Sequence, residues 1–323
     1  MSNSNQLEMM ERIALDLEGV ECALASSFNT GSEDFNTLIR PLSEAGGKRL
    51  RAQLCLLIAN AGTSVEAERI KIAEAVEMLH LATLIHDDVL DQAEIRRGEE
   101  TIHKHKGNKV AILSGDYLFA KAFRIVSEMP HMEYLKIFSH IITCLVEGEF
   151  MQMEDVYRID QGIDRYMTKT QKKTADFMEG CMELGGLLGG WSSDEIMYLK
   201  RYGHALGMAF QITDDIMDYR ETSDTTGKPV GNDLREGLLT YPLLSIVNES
   251  NQKQLLQDIK NLNYGGNEQE IIDYVIAQGG IDNTLLVAQQ YCDDALSALQ
   301  SIRDFDGKEF LVLAVQNLAD RKV

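Results

Sequence analysis

The chain has 323 residues, a formal net charge of −20 at pH 7 and an apolar content of 44%. This length and apolar content are enough for a buried core, whereas the strong negative charge argues against nucleic-acid binding, which needs a basic face to neutralise phosphates. We therefore expect a soluble globular protein that does not bind nucleic acid.

The cysteines and the first residues bear on the compartment. No Cys-x-x-Cys pair occurs, which indicates reduced thiols in a cytoplasmic protein. The beginning of the chain lacks the basic-then-apolar layout of a signal peptide, and no apolar run reaches the length of a membrane span. We predict a disordered polar head over residues 1–6 and a single domain over residues 7–323. The five cysteines are Cys22, Cys55, Cys144, Cys181 and Cys292.

The predicted elements are helices along the whole chain. The first amphipathic helix is marked by apolar residues at three-and-four spacing, and no sustained alternation that would favour a sheet occurs. Few prolines interrupt the helices, and the clearest breaks fall near residues 30, 130, 222 and 264. The fold class is therefore predicted to be all-α. The apolar positions of the first helix are Leu7, Met10, Ile13, Ala14, Leu17, Val20 and Leu24.

The stretch GGKRLR, from Gly46 to Arg51, is the first candidate binding segment. Two glycines permit a tight turn, and Lys48, Arg49 and Arg51 bring cations to the start of the helix that follows. A diphosphate clamp fits this pattern, and an ordinary solvated basic turn is the alternative, since short basic runs are weak signals.

The stretch LIHDDVLD places three carboxylates within five residues. In a helix, Asp87 and Asp91 lie one turn apart on one face with Asp88 beside them, so their like charges oppose folding unless a cation compensates. The preceding residues are apolar, and ionised carboxylates near apolar groups are costly unless they are paired or bound to a metal. A solvated acidic face is the alternative on this motif alone.

Further basic segments follow the first aspartate motif. Arg96 and Arg97 of RRG come soon after Asp91, so their guanidinium groups can reach the same cleft and bind phosphate oxygens. The segments KKTA, which contains Lys173, and TGKPVGND, which contains Lys228, add phosphate donors, although each is a weak signal when taken singly.

The stretch QITDDIMD repeats the Asp-Asp-x-x-Asp spacing with Asp214, Asp215 and Asp218. One helix cannot hold both motifs, but two helices could face each other across a cleft and form a polyanionic box. Carboxylates arranged in this way suit Mg²⁺, which is typically shared between protein carboxylates and substrate phosphates. The repeated motif therefore favours a metal site over two solvated faces.

The ordered set GGKRLR, HxxxxIHDDVLD, RRG, KTA, FQITDDIMD and GKPVGNDL closely resembles the all-trans isoprenyl diphosphate synthases, or polyprenyl synthetases, from about Gly46 to Pro242. The resemblance implies a single-domain helical bundle around a deep central cavity, the isoprenoid synthase fold. It also implies a dimer, with the two aspartate motifs facing each other across the mouth of the cavity. Leu238 stands where many members carry lysine, which resembles long-chain catalytic subunits of the heptaprenyl type.

The resemblance also implies roles for individual residues. An allylic diphosphate would ionise with the help of Mg²⁺ and fixed cations, and isopentenyl diphosphate would then attack the allylic cation. The metal would be held by Asp87, Asp88, Asp91, Asp214 and Asp218, with Asp215 supporting them. The allylic diphosphate would contact Arg96, Lys173, Gln211 and Lys228. Isopentenyl diphosphate would be clamped by Lys48, Arg51, His80 and Arg97. Thr174 and Phe210 could face the cation, although Phe210 fits a plain core position equally well.

Product length depends on the residues one turn before Asp87, where the growing chain would pass. Ala82 and Thr83 are both small, which in this family resembles long-chain enzymes. We therefore expect a hexaprenyl to decaprenyl product for a quinone side chain. The alternative is that these two residues only pack against a neighbouring helix and that the floor lies at Phe119 or Phe123.

Several alternatives stay open at this point. The chain could be a short-chain synthase that makes farnesyl or geranylgeranyl diphosphate. It could also be a catalytic subunit that needs a small regulatory partner and forms a heterodimer with it in place of a homodimer. A class I terpene cyclase needs no isopentenyl clamp, and a non-catalytic subunit would have lost aspartates, so both fit less well. The resemblance further implies transient membrane contact when the product leaves.

Overall fold

The computed structural model describes residues 3–28, 33–44, 49–96, 98–220 and 231–319. Three residues predicted to bind substrate, Lys48, Arg97 and Lys228, lie outside the described residues. The all-α prediction is confirmed, because helices make up nearly all of the regular structure among the described residues.

Ten helices precede residue 221 in the described part of the chain. They are α1 (Asn3–Ser27), α2 (Glu33–Glu44), α3 (Leu50–Asn60), α4 (Glu66–Leu90), α5 (Ile102–Lys106), α6 (Asn108–Ser127), α7 (Met132–Asp155), α8 (Ile163–Thr170), α9 (Asp176–Leu188) and α10 (Ser193–Arg220). A π-helical turn, Gln171–Ala175, joins α8 to α9.

The later helices are mostly shorter. They are α11 (Asn232–Glu236), α12 (Tyr241–Leu244), α13 (Gln252–Asn261), α14 (Glu268–Ala277), α15 (Gly280–Gln300) and α16 (Lys308–Ala319), and a 3₁₀ turn, Leu262–Tyr264, follows α13. Two short antiparallel strands, β1 (Ile95–Arg96) and β2 (Glu99–Glu100), were not predicted. Gly98 lies in their turn at φ +87°, a conformation that favours glycine.

Helix α1 begins at Asn3, whereas the sequence predicted a disordered head through residue 6. The amphipathic pattern from Leu7 onward stabilises a helix, and adding residues to an existing helix costs less than nucleating one, so the helix extends upstream. Residues 1 and 2 lie outside the described residues.

The chain divides into two compact units. Unit 1 contains residues 1–139, 181–197 and 304–307, and unit 2 contains residues 140–180, 198–303 and 308–323. The prediction that residues 7–323 form a single domain stays a prediction.

Within unit 1, helix α4 packs closely against α6. A Cβ atom at Gly115 of α6 would lie 2.2 Å from Nε2 of His86, so glycine leaves room for the imidazole in its present position. A buried network joins α1, α3 and α4, since Asp16 accepts hydrogen bonds from Asn60 (2.6 Å) and Arg69 (2.6 and 3.0 Å). These contacts hold the helix that carries the first aspartate motif.

Within unit 2, helix α10 runs through an apolar core that includes Ile212, Ile216 and Tyr219. A Cβ atom at Gly207 would lie 2.6 Å from Cα of Ala175, the last residue of the π-helical turn. Glycine at this position therefore lets the π-helical turn lie directly against α10. No helix of the described residues is both long and apolar enough to cross a membrane.

Candidate active site

The first aspartate motif lies at the end of helix α4 in unit 1. Asp88 is buried and accepts a hydrogen bond of 2.5 Å from Nε of Arg96, while Asp87 is half-buried and Asp91 is exposed. The amide of Asp91 closes the last helical turn by donating to the carbonyl of Asp87 at 2.8 Å. Arg96 is thus a compensating cation of the kind expected from the sequence, and it pairs with Asp88, one of the three carboxylates.

The segment after this motif is fixed by hydrogen bonds to one backbone carbonyl. The hydroxyl of Thr101 donates to the carbonyl of Ala93 at 2.7 Å, and Nε2 of His103 lies 2.8 Å from the same oxygen. The amide of Ala93 in turn donates to the carbonyl of Asp88 at 3.0 Å. These bonds place the hairpin and Arg96 beside Asp88. The sequence analysis did not identify Thr101 or His103.

Two residues of the predicted clamp for isopentenyl diphosphate lie close together in unit 1. Nη1 of Arg51 lies 3.4 Å from Nε2 of His80, so α3 and α4 bring these two predicted residues together. Burial lowers the pKa of Arg51, and the nearby carboxylate of Glu77 opposes that shift. Arg49, the other arginine of GGKRLR, is buried and instead forms an ion pair with Glu21, 2.7 Å away.

The second aspartate motif lies near the end of helix α10 in unit 2. Asp215 is buried and accepts hydrogen bonds from the Tyr166 hydroxyl (2.5 Å) and the Gln211 side chain (2.9 Å). Burial raises the pKa of Asp215 to about 7, although both hydrogen bonds oppose the shift. The hydroxyl of Thr174 donates to Gln211 at 3.0 Å, so three residues predicted separately form one chain of hydrogen bonds.

The third carboxylate of this motif contacts the start of helix α11. Asp218 accepts hydrogen bonds from the amides of Asn232 (3.2 Å) and Asp233 (3.3 Å), and its own carbonyl accepts one from Gly231 (3.0 Å). A carboxylate at a helix N-terminus satisfies amides that have no partner within the helix. The end of the GKPVGND segment is therefore attached to the second aspartate motif.

Lys173 lies in the π-helical turn of unit 2. Its ammonium nitrogen is 2.5 Å from Oε2 of Glu149 and donates to the amide oxygen of Gln152 at 2.9 Å. Single π-helical turns inside α-helices are frequent at functional sites, because they redirect side chains that regular spacing would place elsewhere. Glu149 and Gln152 were missed by the sequence analysis, although their spacing puts them on one helix face.

A buried lysine in unit 2 was also missed. Lys169 is 8% exposed, and its ammonium nitrogen lies 3.8 Å from Oδ2 of Asp155, which is itself buried. Burial lowers the pKa of Lys169, and the charges of Asp155 and Asp215 oppose that shift. Lys169 adds a positive charge near the second aspartate motif, and no sequence motif predicted this charge.

The two predicted chain-length residues lie on α4 before the first motif. Ala82 is completely buried, and Thr83 is half-buried with its hydroxyl donating to the carbonyl of His80 at 2.7 Å. Phe210 is half-buried on α10 next to Gln211. Their proposed contacts with substrate stay predictions.

One cluster elsewhere in unit 2 has the composition of a metal site. Among the described residues, the group whose candidate ligand atoms all lie within 4.8 Å of one another is Asp176, Glu179 and His204. Gln171 donates to Asp176 at 3.2 Å, and the Lys200 ammonium lies 3.5 Å from Glu179. Protein cations and donors already satisfy these carboxylates, so we interpret the cluster as an ion-pair network.

Comparison with known proteins identifies the family. The polyprenyl synthetase family model matches residues 32–278. The octaprenyl diphosphate synthase of Escherichia coli is 32% identical over 95% of this chain and 96% of its own length. Heptaprenyl diphosphate synthase component 2 of Geobacillus stearothermophilus is 33% identical over 89% of this chain and 90% of its own.

A solved structure agrees with these relatives. The polyprenyl synthase of Caulobacter crescentus, crystallised with calcium and isoprenyl diphosphate, is 30% identical, with a TM-score of 0.89 over 100% of this chain and 98% of that one. The two aspartate motifs and their basic neighbours lie within the family match. The chain therefore belongs to the polyprenyl synthetase family and is a trans-prenyltransferase with the all-α isoprenoid synthase fold.

Proposed function

We propose that the enzyme condenses isopentenyl diphosphate with an allylic diphosphate in a Mg²⁺-dependent reaction that yields a long-chain all-trans polyprenyl diphosphate. The observation that carries this proposal is the repeated aspartate motif, each copy on its own helix and each with a cation close by. Arg96 pairs with Asp88 in unit 1, and Lys169 lies near Asp215 in unit 2.

The donor chemistry of the two motifs suits Mg²⁺, which prefers carboxylate oxygens and keeps several waters. Asp87 and Asp214 are half-buried and Asp91 is exposed, so hydrated ions and phosphates can approach them. We assign metal binding to Asp87, Asp88, Asp91, Asp214 and Asp218, with Asp215 in support. Bound Mg²⁺ would neutralise the charge that grows on the leaving diphosphate.

The protein's own groups have complementary tasks in this proposal. Arg96, Lys173, Gln211 and Lys228 hold the allylic diphosphate, while Lys48, Arg51, His80 and Arg97 hold isopentenyl diphosphate. Breaking the allylic C–O bond leaves a cation, the double bond of isopentenyl diphosphate attacks it, and a proton passes to the departing diphosphate. No protein nucleophile is needed, and correct placement of the two substrates supplies much of the rate.

Lys173 would exchange partners during this cycle. In the structure its ammonium contacts Glu149 and Gln152. A diphosphate oxygen offers a more highly charged acceptor, so we propose that Lys173 turns toward it when the allylic substrate binds.

Product length and assembly complete the proposal. The named relatives make octaprenyl and heptaprenyl products, and both Ala82 and Thr83 are small, which supports a product of hexaprenyl to decaprenyl length. On α7, Val146, Phe150 and Met153 are exposed at the spacing of one apolar helix face. Such a face supports assembly with a second copy of the chain.

A second candidate is a catalytic subunit that needs a small regulatory partner. Its support is the relative named as component 2 of a heptaprenyl synthase. We place the enzyme in the cytoplasm, with transient membrane contact when the apolar product leaves. The free thiols of all five cysteines, which lie within the described residues, support a reducing compartment.

The test is to incubate the purified chain with radiolabelled isopentenyl diphosphate, farnesyl diphosphate and Mg²⁺ and to size the products. A ladder ending between hexaprenyl and decaprenyl supports the proposal. Incorporation that stops at geranylgeranyl diphosphate contradicts the long-chain assignment. Incorporation that begins only when a partner subunit is added supports the second candidate.

Arg96→Ala is expected to raise KM for the allylic substrate by about tenfold or more, because a guanidinium that can bind the diphosphate is lost. KM for isopentenyl diphosphate should change much less. Steady-state kinetics with each substrate varied separately measures both values.

The control for Arg96 is Lys104→Ala. Lys104 follows the same hairpin and pairs with Glu94 at 2.5 Å, but no role in binding is assigned to it. Lys104→Ala should leave both KM values unchanged. A selective rise in KM for isopentenyl diphosphate in Arg96→Ala would show that the two arginine roles are interchanged.

A further inference from the structure

Glu77 of helix α4 is a buried carboxylate at the predicted isopentenyl clamp. It is 1% exposed. Its Oε1 accepts a hydrogen bond from the amide of Ala52 at 3.1 Å, and its Oε2 lies 3.5 Å from Nη1 of Arg49. A buried carboxylate with two such partners is costly to remove or to neutralise.

The first turn of α3 depends on this carboxylate. Arg49 stands at the N-cap in the left-handed conformation, with φ 44°, and its side chain makes no capping hydrogen bond. The amide of Ala52 is therefore satisfied from outside the helix, by Glu77. The negative charge also lies at the helix N-terminus, where the helix dipole favours it.

Arg49 connects the first turn of α3 to helix α1. Its Nε and Nη2 donate to the two carboxylate oxygens of Glu21, at 2.7 and 3.2 Å, while Nη1 faces Glu77. A left-handed conformation is unfavourable for a residue with a Cβ atom, so this pair of carboxylates stabilises it. Arg49 is thus a structural arginine placed between two acids.

The next arginine of the GGKRLR segment, Arg51, belongs to the predicted clamp. Arg51 lies in the first turn of α3, and its Nη1 is 3.4 Å from Nε2 of His80. His80 lies three residues after Glu77, on the same face of α4. Glu77 therefore fixes the backbone that carries one clamp residue and belongs to the helix face that carries the other.

We infer that Glu77 is a positioning residue for the isopentenyl diphosphate subsite, which it organises by holding the first turn of α3 and Arg49 so that Arg51 is directed at His80. This inference rests on the proposed function, because it takes Arg51 and His80 as ligands of isopentenyl diphosphate. Glu77 itself touches no substrate.

The electrostatics agree with this role. Burial raises the pKa of Glu77, and the Ala52 amide, Arg49 and Arg51 all oppose that shift. The three partners thus favour the ionised form, which is the form that accepts both bonds. Glutamine at this position keeps the shape but loses the charge and one acceptor oxygen.

The test compares Glu77→Gln with wild type in steady-state kinetics, varying one substrate while the other is saturating. KM for isopentenyl diphosphate is expected to rise about tenfold, while KM for the allylic substrate stays within about twofold. A general structural defect would lower the active fraction and kcat without separating the two KM values.

Glu74→Gln is the matched control. Glu74 lies one turn before Glu77 on α4, is also buried, and accepts a hydrogen bond of 2.6 Å from Ser27, away from the clamp. It should leave both KM values unchanged. Equal KM changes in the two variants, or equal effects of Glu77→Gln on both substrates, would overturn the inference.

Two further variants keep the test decisive. If Glu77→Gln does not fold, the test uses Arg49→Lys in its place. This substitution removes the guanidinium group that bridges Glu21 and Glu77, and it should raise KM for isopentenyl diphosphate about threefold. In an Arg51→Ala background, Glu77→Gln should add little, since it acts through Arg51. Full additivity or an unchanged KM in Arg49→Lys contradicts the inference. A wild-type chain inactive with both substrates would instead refute the proposed function.

Discussion

Asp87→Ala and Asp214→Ala are each expected to lower kcat by about 10³-fold and to leave the protein folded. Each change removes a carboxylate oxygen that we assign to Mg²⁺, so the leaving diphosphate loses charge stabilisation. The fold should persist, because both carboxylates are half-buried and their removal relieves repulsion from neighbouring aspartates. Product formation from radiolabelled isopentenyl diphosphate measures kcat, and thermal unfolding checks the fold.

The control is an aspartate pair outside both motifs. Asp293 and Asp294 are adjacent on α15, are exposed, and accept hydrogen bonds from Gln289 and Gln290 on the same helix. Asp293→Ala should therefore retain full turnover. Near-normal turnover in Asp87→Ala or Asp214→Ala would refute the assignment of that motif to the metal.

Ala82→Phe and Thr83→Phe are expected to shorten the product toward farnesyl or geranylgeranyl diphosphate. Ala82 has no exposed surface, so a phenyl ring there needs space that neighbouring atoms now fill. We expect that space to border the path of the growing chain. Overpacking a buried position is costly, which is why the ring would not move aside easily. Chromatographic sizing of the labelled products measures the effect.

The competing site for the floor is on α6, where the Phe119 ring lies 5.5 Å from the His86 ring and Phe123 packs edge-on against Phe138. If the floor of the cavity lies there, Phe123→Ala lengthens the product, whereas Ala82→Phe and Thr83→Phe leave the product length unchanged. That pattern would refute the role of Ala82 and Thr83. The unfolding temperature of each variant shows whether a change in product length accompanies a loss of stability.

The sequence predicted the fold class well, and it also placed together some residues that the structure joins on one helix. Helical periodicity is strong in a chain with few prolines, so the all-α class followed directly. The motif spacing placed Asp215 and Gln211 one turn apart, and the structure joins them by a hydrogen bond. Such local relations follow from the helix repeat alone.

Long-range and irregular features could not be predicted in the same way. The π-helical turn around Lys173 breaks the helix repeat, and no residue pattern specifies such a turn. Lys169 belongs to no sequence motif that we identified, and its burial against Asp155 depends on tertiary packing. The sequence also grouped Arg49 with the clamp, whereas its partners Glu21 and Glu77 lie on two other helices.

The central claim, that both aspartate motifs bind an allylic diphosphate through Mg²⁺, is tested most directly by titrating a farnesyl thiodiphosphate analogue that cannot ionise. Isothermal calorimetry should show binding about 100-fold tighter with Mg²⁺ than with EDTA, and the difference should vanish in both Asp87→Ala and Asp214→Ala. Equal affinity with and without Mg²⁺ in the wild-type protein would contradict the claim.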